Sequence, residues 1–280
     1  MKPTNLVLIA SLGIISLLSS CKKDDSTANT DTGVEATFEL GTDNAVADYM
    51  TEEDNDVLME VTADQNLQGN GFGPANQLDN LMPCATVTVS PTGFPKTILI
   101  SFDSTCTSPR GLVRKGKIRI VISDSIRRPG SKAVMTFENY YVNGFKREAT
   151  STWTNTSIPP VRSWERKVEN GKITSPSGLF WLHTSIKNVT QTAGSSTANL
   201  LDDVFSIAGN GSVTNPVGIT RTATITEPLQ KKYSCANIDK GRIRFQGPNH
   251  FAVLDYGNGD CDRIATISID GRPPRTIILR

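Results

Sequence analysis

The chain alternates apolar and polar residues over most of its length. The runs Ala85–Ser90, Lys117–Ile122 and Ala265–Ile269 each place an apolar residue at every second position. This period is typical of strands that bury one face. Because no helical period interrupts such runs after the first of them, the pattern predicts an all-β fold over 84–280. We expect an antiparallel sandwich or barrel-like body of about a dozen strands.

Turn signals separate the alternating runs. Asn-Gly or Asp-Gly dipeptides occur at positions 143–144, 170–171, 210–211, 258–259 and 270–271. Both residues of such a pair accept the positive φ angles of a two-residue hairpin turn. We therefore expect these dipeptides to mark hairpin turns between strands.

One segment has a helical period instead. Its apolar positions recur at helical spacing, at Val46, Tyr49, Met50, Val57, Leu58 and Val61. Asp43 or Asn44 can cap a helix here, so the pattern predicts one acidic helix over 43–65. A linker over 66–83 follows it. The polar, Thr/Asp-rich residues 21–42 have no period and are expected to form a flexible tether.

The amino-terminal segment has the pattern of a signal peptide. Lys2 precedes an apolar run over Leu6–Leu18, which is too short to span a bilayer comfortably as a permanent helix. The sequence Leu18-Ser-Ser-Cys21 resembles a bacterial lipobox, which implies removal of residues 1–20 and acylation of Cys21. Several acyl chains give stable membrane anchoring. The alternative is an ordinary secretory signal with a chance cysteine.

The residues that follow Cys21 indicate on which side of the membrane the protein lies. Lys22-Lys-Asp-Asp-Ser26 looks like the surface-export signal of Bacteroidota lipoproteins. It implies a lipid-anchored protein of the outer membrane, exposed on the cell surface. A short charged run is also typical of any solvated tether, in which case the protein stays on the periplasmic face.

Four cysteines remain once Cys21 is set aside. An even number in an exported protein indicates disulfides, and four cysteines allow three pairings. We expect the pairing that is local in sequence, Cys84–Cys106 and Cys235–Cys261. Each bond would then close a short loop and contribute about 3–4 kcal/mol. A zinc site is disfavoured because there is no C-x-x-C motif and no nearby histidine.

Charge is balanced over the 280 residues but unevenly distributed. The chain has 29 Lys+Arg and 28 Asp+Glu, a net charge of +1 that argues against a nucleic-acid partner. Residues 22–80 hold two Lys and fourteen acids, a balance of −12, whereas 81–280 hold 26 Lys+Arg and fourteen acids, a balance of +12. The β body should therefore carry basic rows.

The alternation places several of these cations on one face of their strands. The candidate ligand-binding residues among them are Lys115, Lys117, Arg119, Arg242 and Arg244. Trp164 is a further candidate, because its charged neighbours in the sequence favour exposure. Three interpretations are open. In the first, the cations only face solvent on the outer side of the sheet. In the second, the acidic helix docks on the basic body. In the third, the basic face binds an anionic glycan or an acidic protein.

Two weaker signals point to other sites. Asp255, Asn258, Asp260 and Asp262 lie close enough in sequence for a calcium loop, although a tight turn beside a disulfide explains them equally. Ser26, Ser104 and Ser125 follow an aspartate, as in the Bacteroidota O-glycosylation pattern. No other cofactor is expected.

No motif nominates a catalytic residue. The sequence lacks G-x-S-x-G, H-E-x-x-H and P-loop patterns, and it has only two histidines. We therefore expect a non-catalytic interaction module of the cell envelope. The alternative is a carbohydrate-active hydrolase, which should show a concave site with two carboxylates, at least one of them with a perturbed pKa.

Longer motifs carry a family resemblance. These are Arg114–Ile118, Thr136–Gly144, Thr222–Leu229 and Leu254–Asp262. Together with the helix near the lipid anchor, they are similar to a group of uncharacterised Bacteroidota lipoproteins. The resemblance implies an envelope location and a β fold. It implies no activity, because the group has none assigned.

Overall fold

A computed structural model describes residues 32–69, 84–108, 111–197 and 199–280. The predicted signal peptide, Cys21 and Ser26 lie outside the described residues, as does most of the predicted linker. Within them the chain forms one long helix, α1 (Thr32–Asp64), a 3-10 turn at Leu200–Asp202, and 13 strands.

The strands form a single antiparallel sheet in which each strand pairs with its neighbours in the chain. Their bounds are β1 Ala85–Ser90, β2 Lys96–Thr107, β3 Val113–Ile122, β4 Lys132–Val142, β5 Phe145–Asn155, β6 Ser163–Thr174, β7 Phe180–Ala193, β8 Val204–Thr214, β9 Thr220–Lys232, β10 Lys240–Gln246, β11 Phe251–Asn258, β12 Ile264–Ile269 and β13 Arg275–Ile278. Over the described residues β1 pairs only with β2 and β13 only with β12, so the sheet is open and sandwich-like. The predicted all-β antiparallel class is confirmed.

Two of the five predicted turn dipeptides lie inside strands instead. Asn143-Gly144 and Asp270-Gly271 do turn the chain, between β4 and β5 and between β12 and β13. In contrast, Asn170-Gly171 lies within β6 and Asn210-Gly211 within β8, where the register of the strand pairs shifts. At the first bulge Asn170 has the positive φ of 53° that a hairpin turn also needs, and at the second the positive φ of 137° belongs to Gly209, just before the dipeptide.

These bulges recur along the sheet and bend it. Register shifts also occur beside Gly116 in β3 and Gly241 in β10, and both glycines have positive φ, 93° and 105°. A Cβ at Gly116 would lie 2.0 Å from the carbonyl oxygen of Asn139 on β4. Bulges increase local twist and curvature, so their repetition lets the sheet curl around α1.

The helix begins eleven residues before the predicted position, at Thr32 rather than residue 43. Residues 32–42 are rich in Thr and Gly, which have low helix propensity, so the sequence pattern does not reveal this part. Its apolar side chains pack on the sheet, with Leu40 fully buried, and Thr37 Oγ1 donates to the Gly33 carbonyl at 2.6 Å. Tertiary packing therefore overrides propensity, and the predicted tether is correspondingly shorter.

Every residue from position 44 to 63 of α1 is buried. That stretch of twenty residues is more than five helical turns, so the helix is covered on all sides. Side chains reach it from strands as far apart as β3 and β11. The helix is thus the centre of the single hydrophobic core rather than an accessory on its surface.

Both predicted disulfides are present. Cys84–Cys106 ties the start of β1 to β2, and Cys235–Cys261 ties the segment after β9 to the segment after β11. Of the helices in the described residues, none combines the length and apolar character needed to cross a bilayer.

Candidate functional site

The centre of the molecule is a buried ion-pair layer between α1 and the concave face of the sheet. Inward-facing cations of five strands meet the helix acids, in the pairs Arg114–Glu53, Arg147–Asp54, Arg166–Glu52, Lys187–Asp48 and Lys231–Asp56. All ten side chains are at most 7% exposed. Buried charges are tolerated when they are paired in this way.

Two of these pairs show how hydrogen bonds and charge compensate for burial. Arg166 binds Glu52 through two hydrogen bonds of 2.9 and 2.6 Å, a bidentate arrangement that adds specificity as well as energy. Burial by itself would raise the pKa of Glu52, but the attraction of Arg166, aided by Lys187 and Lys231, outweighs burial and lowers it. For Asp54, burial outweighs the attraction of Arg147 and raises the pKa.

A histidine belongs to the same layer. His183 is 4% exposed and its Nε2 contacts the guanidinium of Arg147. Burial, together with the charges of Arg147 and Lys187, holds the pKa of His183 well below its usual value. It is therefore a neutral, packed side chain.

The layer bears on one of the three interpretations of the basic rows, the docking of the acidic helix, and leaves ligand binding by those rows a prediction. The acidic helix does dock on the basic body, but through inward cations that sequence reasoning did not single out. The predicted cations point the other way. Lys115, Lys117 and Arg119 are exposed on the outer face of β3, where Lys117 pairs with Glu138 at 3.5 Å and Lys115 lies over the Tyr141 ring.

The second predicted basic row also has local partners. Arg242 lies between Glu227 and Asp255, with N···O distances of 2.7 Å to each, and Arg244 lies over the Phe251 ring. This row is on β10, seven strands away from β3 in the order of the sheet. The two rows therefore do not lie on neighbouring strands and do not form one continuous site along the sheet.

The exposure of Trp164 differs from the prediction. It is half-buried rather than exposed, and its ring packs edge-on against Phe205 with centroids 5.5 Å apart. With Trp153 it lines a cavity next to the C-terminal half of α1. The end of β5, the start of β6 and the end of β7 contribute to its lining. We name this the Trp153–Trp164 cavity; its lining residues are Asn55, Leu58, Met59, Ile126, Arg127, Trp153, Asn155, Ser157, Arg162, Trp164 and Gln191.

Several polar atoms of this lining lack a partner. Among the described residues, Nε1 of Trp153 and Nε1 of Trp164 have no acceptor, and Oδ1 of Asn55 has no donor. Asn55 is only 2% exposed and Trp153 only 3%. Buried polar atoms are nearly always paired in native proteins, because an unpaired one costs about 1–3 kcal/mol. The three atoms belong to residues that line one cavity of about 40 Å³.

Two guanidiniums and a carboxyl interact at the edge of the cavity. Burial, and then the nearby Arg162, lower the pKa of Arg127 to about 10. The carboxyl of Asp203 attracts both guanidiniums and accepts a 2.6 Å hydrogen bond from Gln191. Burial raises the pKa of Asp203 to about 7, against the opposing pull of Arg127 and Arg162.

Sequence reasoning nominated only Trp164 among the lining residues. Asn55, Arg127, Trp153 and Arg162 come from the helix, two loops and a strand, and no local motif joins them. One signal was present: Asn55 is the single uncharged side chain in the run from Glu52 to Asp56.

The predicted calcium residues line a recess beside β11, and two of them already have partners. Asp255 pairs with Arg242 and accepts from the Gly257 amide, and Asp262 accepts from the Ile264 amide. Asn258 and Asp260 are exposed. Among the described residues, one cluster has metal-ligating atoms within reach of one another, and both of its cysteines, Cys235 and Cys261, are joined in a disulfide.

The predicted glycosylation residues differ in placement. Ser104 lies within β2 rather than at a turn. Ser125 lies in the β3–β4 connection and is half-buried, with its Cβ near Gly69. Glycosylation stays a prediction at these positions.

Comparison with known proteins gave no relative. No protein-family model, no curated protein and no solved structure matches the chain.

Proposed function

We propose that this protein is a lipid-anchored lipoprotein of the bacterial cell envelope, and that it acts as a non-catalytic module that binds its ligand in the Trp153–Trp164 cavity. Membership of the Bacteroidota lipoprotein group, an outer-membrane anchor at Cys21 and exposure on the cell surface belong to this proposal. The lipobox-like sequence and the two disulfides, which form in oxidising compartments, support it.

One observation carries the binding function. Three residues of the cavity lining, Trp153, Trp164 and Asn55, each have a buried polar side-chain atom with no partner among the described residues. A binding site needs a few convergent polar groups in an apolar recess, and Leu58, Met59 and the indole rings supply the apolar part. Among the described residues that line it there is no carboxylate, so the lining itself lacks the acid pair of a glycosidase.

The binding function is tested with the full chain on an array of neutral and acidic glycans, at low and high salt. We expect signal on acidic glycans that falls with salt, because exposed electrostatic attraction is screened. An array without any binding, or with binding that Trp164→Phe leaves unchanged, contradicts the proposed site.

The anchor needs its own test. Mass spectrometry of the protein from membranes should show an acylated Cys21 as the first residue, and protease treatment of intact cells should remove the protein if it is on the surface. An unmodified Cys21 contradicts the anchor. Protection from protease in intact cells, with digestion after lysis, places the protein on the periplasmic face instead.

A second candidate, a carbohydrate-active hydrolase, has one observation in its favour. Asp203, with its pKa near 7, has Asp202 beside it, and one oxygen of each carboxyl lies within 3 Å of the Cβ position of Gly194. A carboxyl group with a raised pKa beside a second one is the arrangement that general acid catalysis uses. Turnover of any acidic glycan that Asp203→Asn abolishes would establish this candidate and overturn the non-catalytic one.

A further inference from the structure

Two neighbouring loops of the sheet hold an apolar side chain out in solvent. Leu179, in the β6–β7 loop, is 68% exposed, and Val217, in the β8–β9 loop, is 80% exposed. Leu182 of β7 pairs with Thr214 of β8, and each lies three residues from the tip of its own loop. The two tips therefore extend from neighbouring strands at the same level and lie side by side.

Backbone hydrogen bonds close both loops in the same way. The amide of Ser175 donates to the Leu179 carbonyl at 2.7 Å, and the amide of Asn215 donates to the Ile219 carbonyl at 3.0 Å. The glycine in each loop, Gly178 or Gly218, has a φ of 87°. The exposure of the two tips is thus built into closed loops of matching shape.

These tips lie at the end of the sheet where α1 begins. Arg221, four residues after Val217, donates from Nε to Oγ1 of Thr37 at 2.9 Å and from Nη2 to the Gly33 carbonyl at 3.3 Å. Gly33 is the second residue of the helix. The chain therefore enters the folded body at Thr32, beside the Leu179 and Val217 loops.

A third exposed apolar tip lies at the other end of the helix. Ile158, in the β5–β6 loop, is 78% exposed, and its neighbour Ser157 lines the Trp153–Trp164 cavity together with Leu58 of α1. Leu58 is 25 residues after Gly33 (58 − 33). At a rise of 1.5 Å per residue this separates the two ends by about 38 Å along the helix.

The length of chain before the helix indicates which end meets a membrane. Thr32 follows Cys21 by eleven residues (32 − 21), and a chain of that length spans at most about 40 Å. An acylated Cys21 would therefore keep the Leu179 and Val217 tips close to the lipid surface. Apolar side chains gain free energy by leaving water, and the tether gives them a high effective concentration at that surface.

A lipid surface suits these tips better than a second protein does. A stable protein–protein interface buries about 1,200–2,000 Å² in total, which two side chains on loop tips do not supply. Insertion into lipid has no such requirement here, because the acyl chains already hold the protein at the membrane.

We propose that Leu179 and Val217 insert into the lipid surface to which Cys21 is anchored, and so orient the folded body on the membrane. The end of the sheet where α1 begins then faces the lipid, and the Trp153–Trp164 cavity faces away from it. This orientation rests on the anchor of the proposed function but not on ligand binding in the cavity.

The test uses the full acylated chain, purified from membranes and reconstituted in vesicles of phosphatidylethanolamine and phosphatidylglycerol. Leu179→Cys, Val217→Cys and Ile158→Cys are each labelled with a nitrobenzoxadiazole dye, whose emission rises in an apolar environment. The four native cysteines of the β body are blocked in disulfides, and Cys21 by its proposed acylation. Ile158→Cys is the matched control, because it is an equally exposed apolar tip at the other end.

We expect the dyes at 179 and 217 to gain emission at least about twofold over detergent-free, vesicle-free protein, since surface-bound apolar groups lie about 5–10 Å into the boundary of the acyl region. Brominated acyl chains should quench both dyes. The dye at 158 should show neither effect.

A second substitution tests whether the two tips insert together. Val217→Asp places a charge at the lipid surface, which is costly there, and should remove most of the emission gained by the dye at 179. Ile158→Asp is its control and should leave that emission unchanged.

Each outcome bears on the orientation. A gain at 179 and 217 that brominated lipid does not quench indicates contact with protein and overturns the lipid assignment. A response at 158 alone, or an equal response at all three positions, overturns the orientation while the anchor stands. Mass spectrometry of the same sample reads the anchor separately, and an unmodified Cys21 removes the anchor and the orientation together.

Discussion

At the scale of single residues, the direction in which a cation points decides its role. Arg166 and Lys167 are neighbours on β6, yet Arg166 is 2% exposed against Glu52 while Lys167 is 42% exposed beside Glu169. The Arg166 guanidinium is shielded from water and depends on Glu52 for its counter-charge, whereas the Lys167 ammonium group stays hydrated. Two positively charged residues that look equivalent in the sequence therefore contribute very differently to stability.

This difference gives a direct prediction. Arg166→Met should lower the free energy of unfolding by about 3–5 kcal/mol, because it leaves the Glu52 carboxylate buried without its counter-charge. Urea denaturation at pH 7 measures the change. Lys167→Met on the same strand is the control and should cost at most about 0.5 kcal/mol. Equal effects of the two substitutions would contradict the buried ion-pair layer.

Asp203 should make the stability depend on pH. It faces Arg127, Arg162, its neighbour Asp202 and the Gln191 amide, and burial raises its pKa to about 7. An unfolded chain loses this proton near pH 4, so between pH 4 and pH 7 the folded protein holds a proton that the unfolded chain has lost. We expect this contribution to the free energy of unfolding to fall as the pH rises from 5 to 7 and to be lost above pH 7, measured by urea denaturation.

The control for this pH dependence is Asp203→Asn. It removes the titrating group, so urea denaturation of this variant at pH 5 and pH 7 should show a smaller fall in stability than the unmodified chain shows. A slope as steep as that of the unmodified chain would assign the effect to another group.

At the scale of elements, the bulged strands and the helix depend on each other. The alternating pattern makes strands, but a flat sheet of 13 strands could not surround α1. The bulges at Gly116, Gly171 and Gly241 supply the extra curvature. The helix in turn supplies the counter-charges that the concave face needs.

A glycine substitution tests the role of the bulges. Gly116→Ala places a Cβ 2.0 Å from the Asn139 carbonyl oxygen and holds alanine at a φ of 93°. We expect a loss of stability of about 2 kcal/mol or more, seen as a lower melting temperature. Gly93→Ala is the control, since nothing lies within 4 Å of its Cβ position and its φ is not positive. A similar shift for both would argue against strain at the bulge.

At the scale of the whole molecule, the helix is a structural centre and not an appendage. Without it, Arg114, Arg147, Arg166, Lys187 and Lys231 would face one another in an apolar interior with no opposing acids from α1. Burying unpaired charges costs several kcal/mol each, which is comparable with the whole stability of a domain.

Truncation tests this dependence. A chain of residues 84–280 should show no cooperative unfolding transition and no near-ultraviolet circular dichroism of packed aromatic rings. A chain of residues 31–280, which keeps every described contact of the larger compact unit, is the control and should unfold cooperatively. A folded 84–280 fragment would contradict the central role of α1.

The sequence by itself determined much of the fold. Alternation at β1, β3 and β12 revealed the strands because one face of β3 and β12 is buried and one face of β1 is half-buried. Cysteine spacing suggested the local disulfide pairs that the structure contains. The opposite charges of 22–80 and 81–280 indicated self-docking among other interpretations. These are properties of local periodicity and of composition, which a linear chain displays directly.

Tertiary structure alone decided which cations face the helix, where the helix begins and where the cavity lies. Inward and outward lysines and arginines have the same chemistry, and only strand register assigns them to a face. Residues 32–42 become helical because the sheet packs on them, against their propensity. The Trp153–Trp164 cavity joins Asn55 to Arg162 across 107 positions of sequence (162 − 55), and only the curvature of the sheet around α1 brings them together.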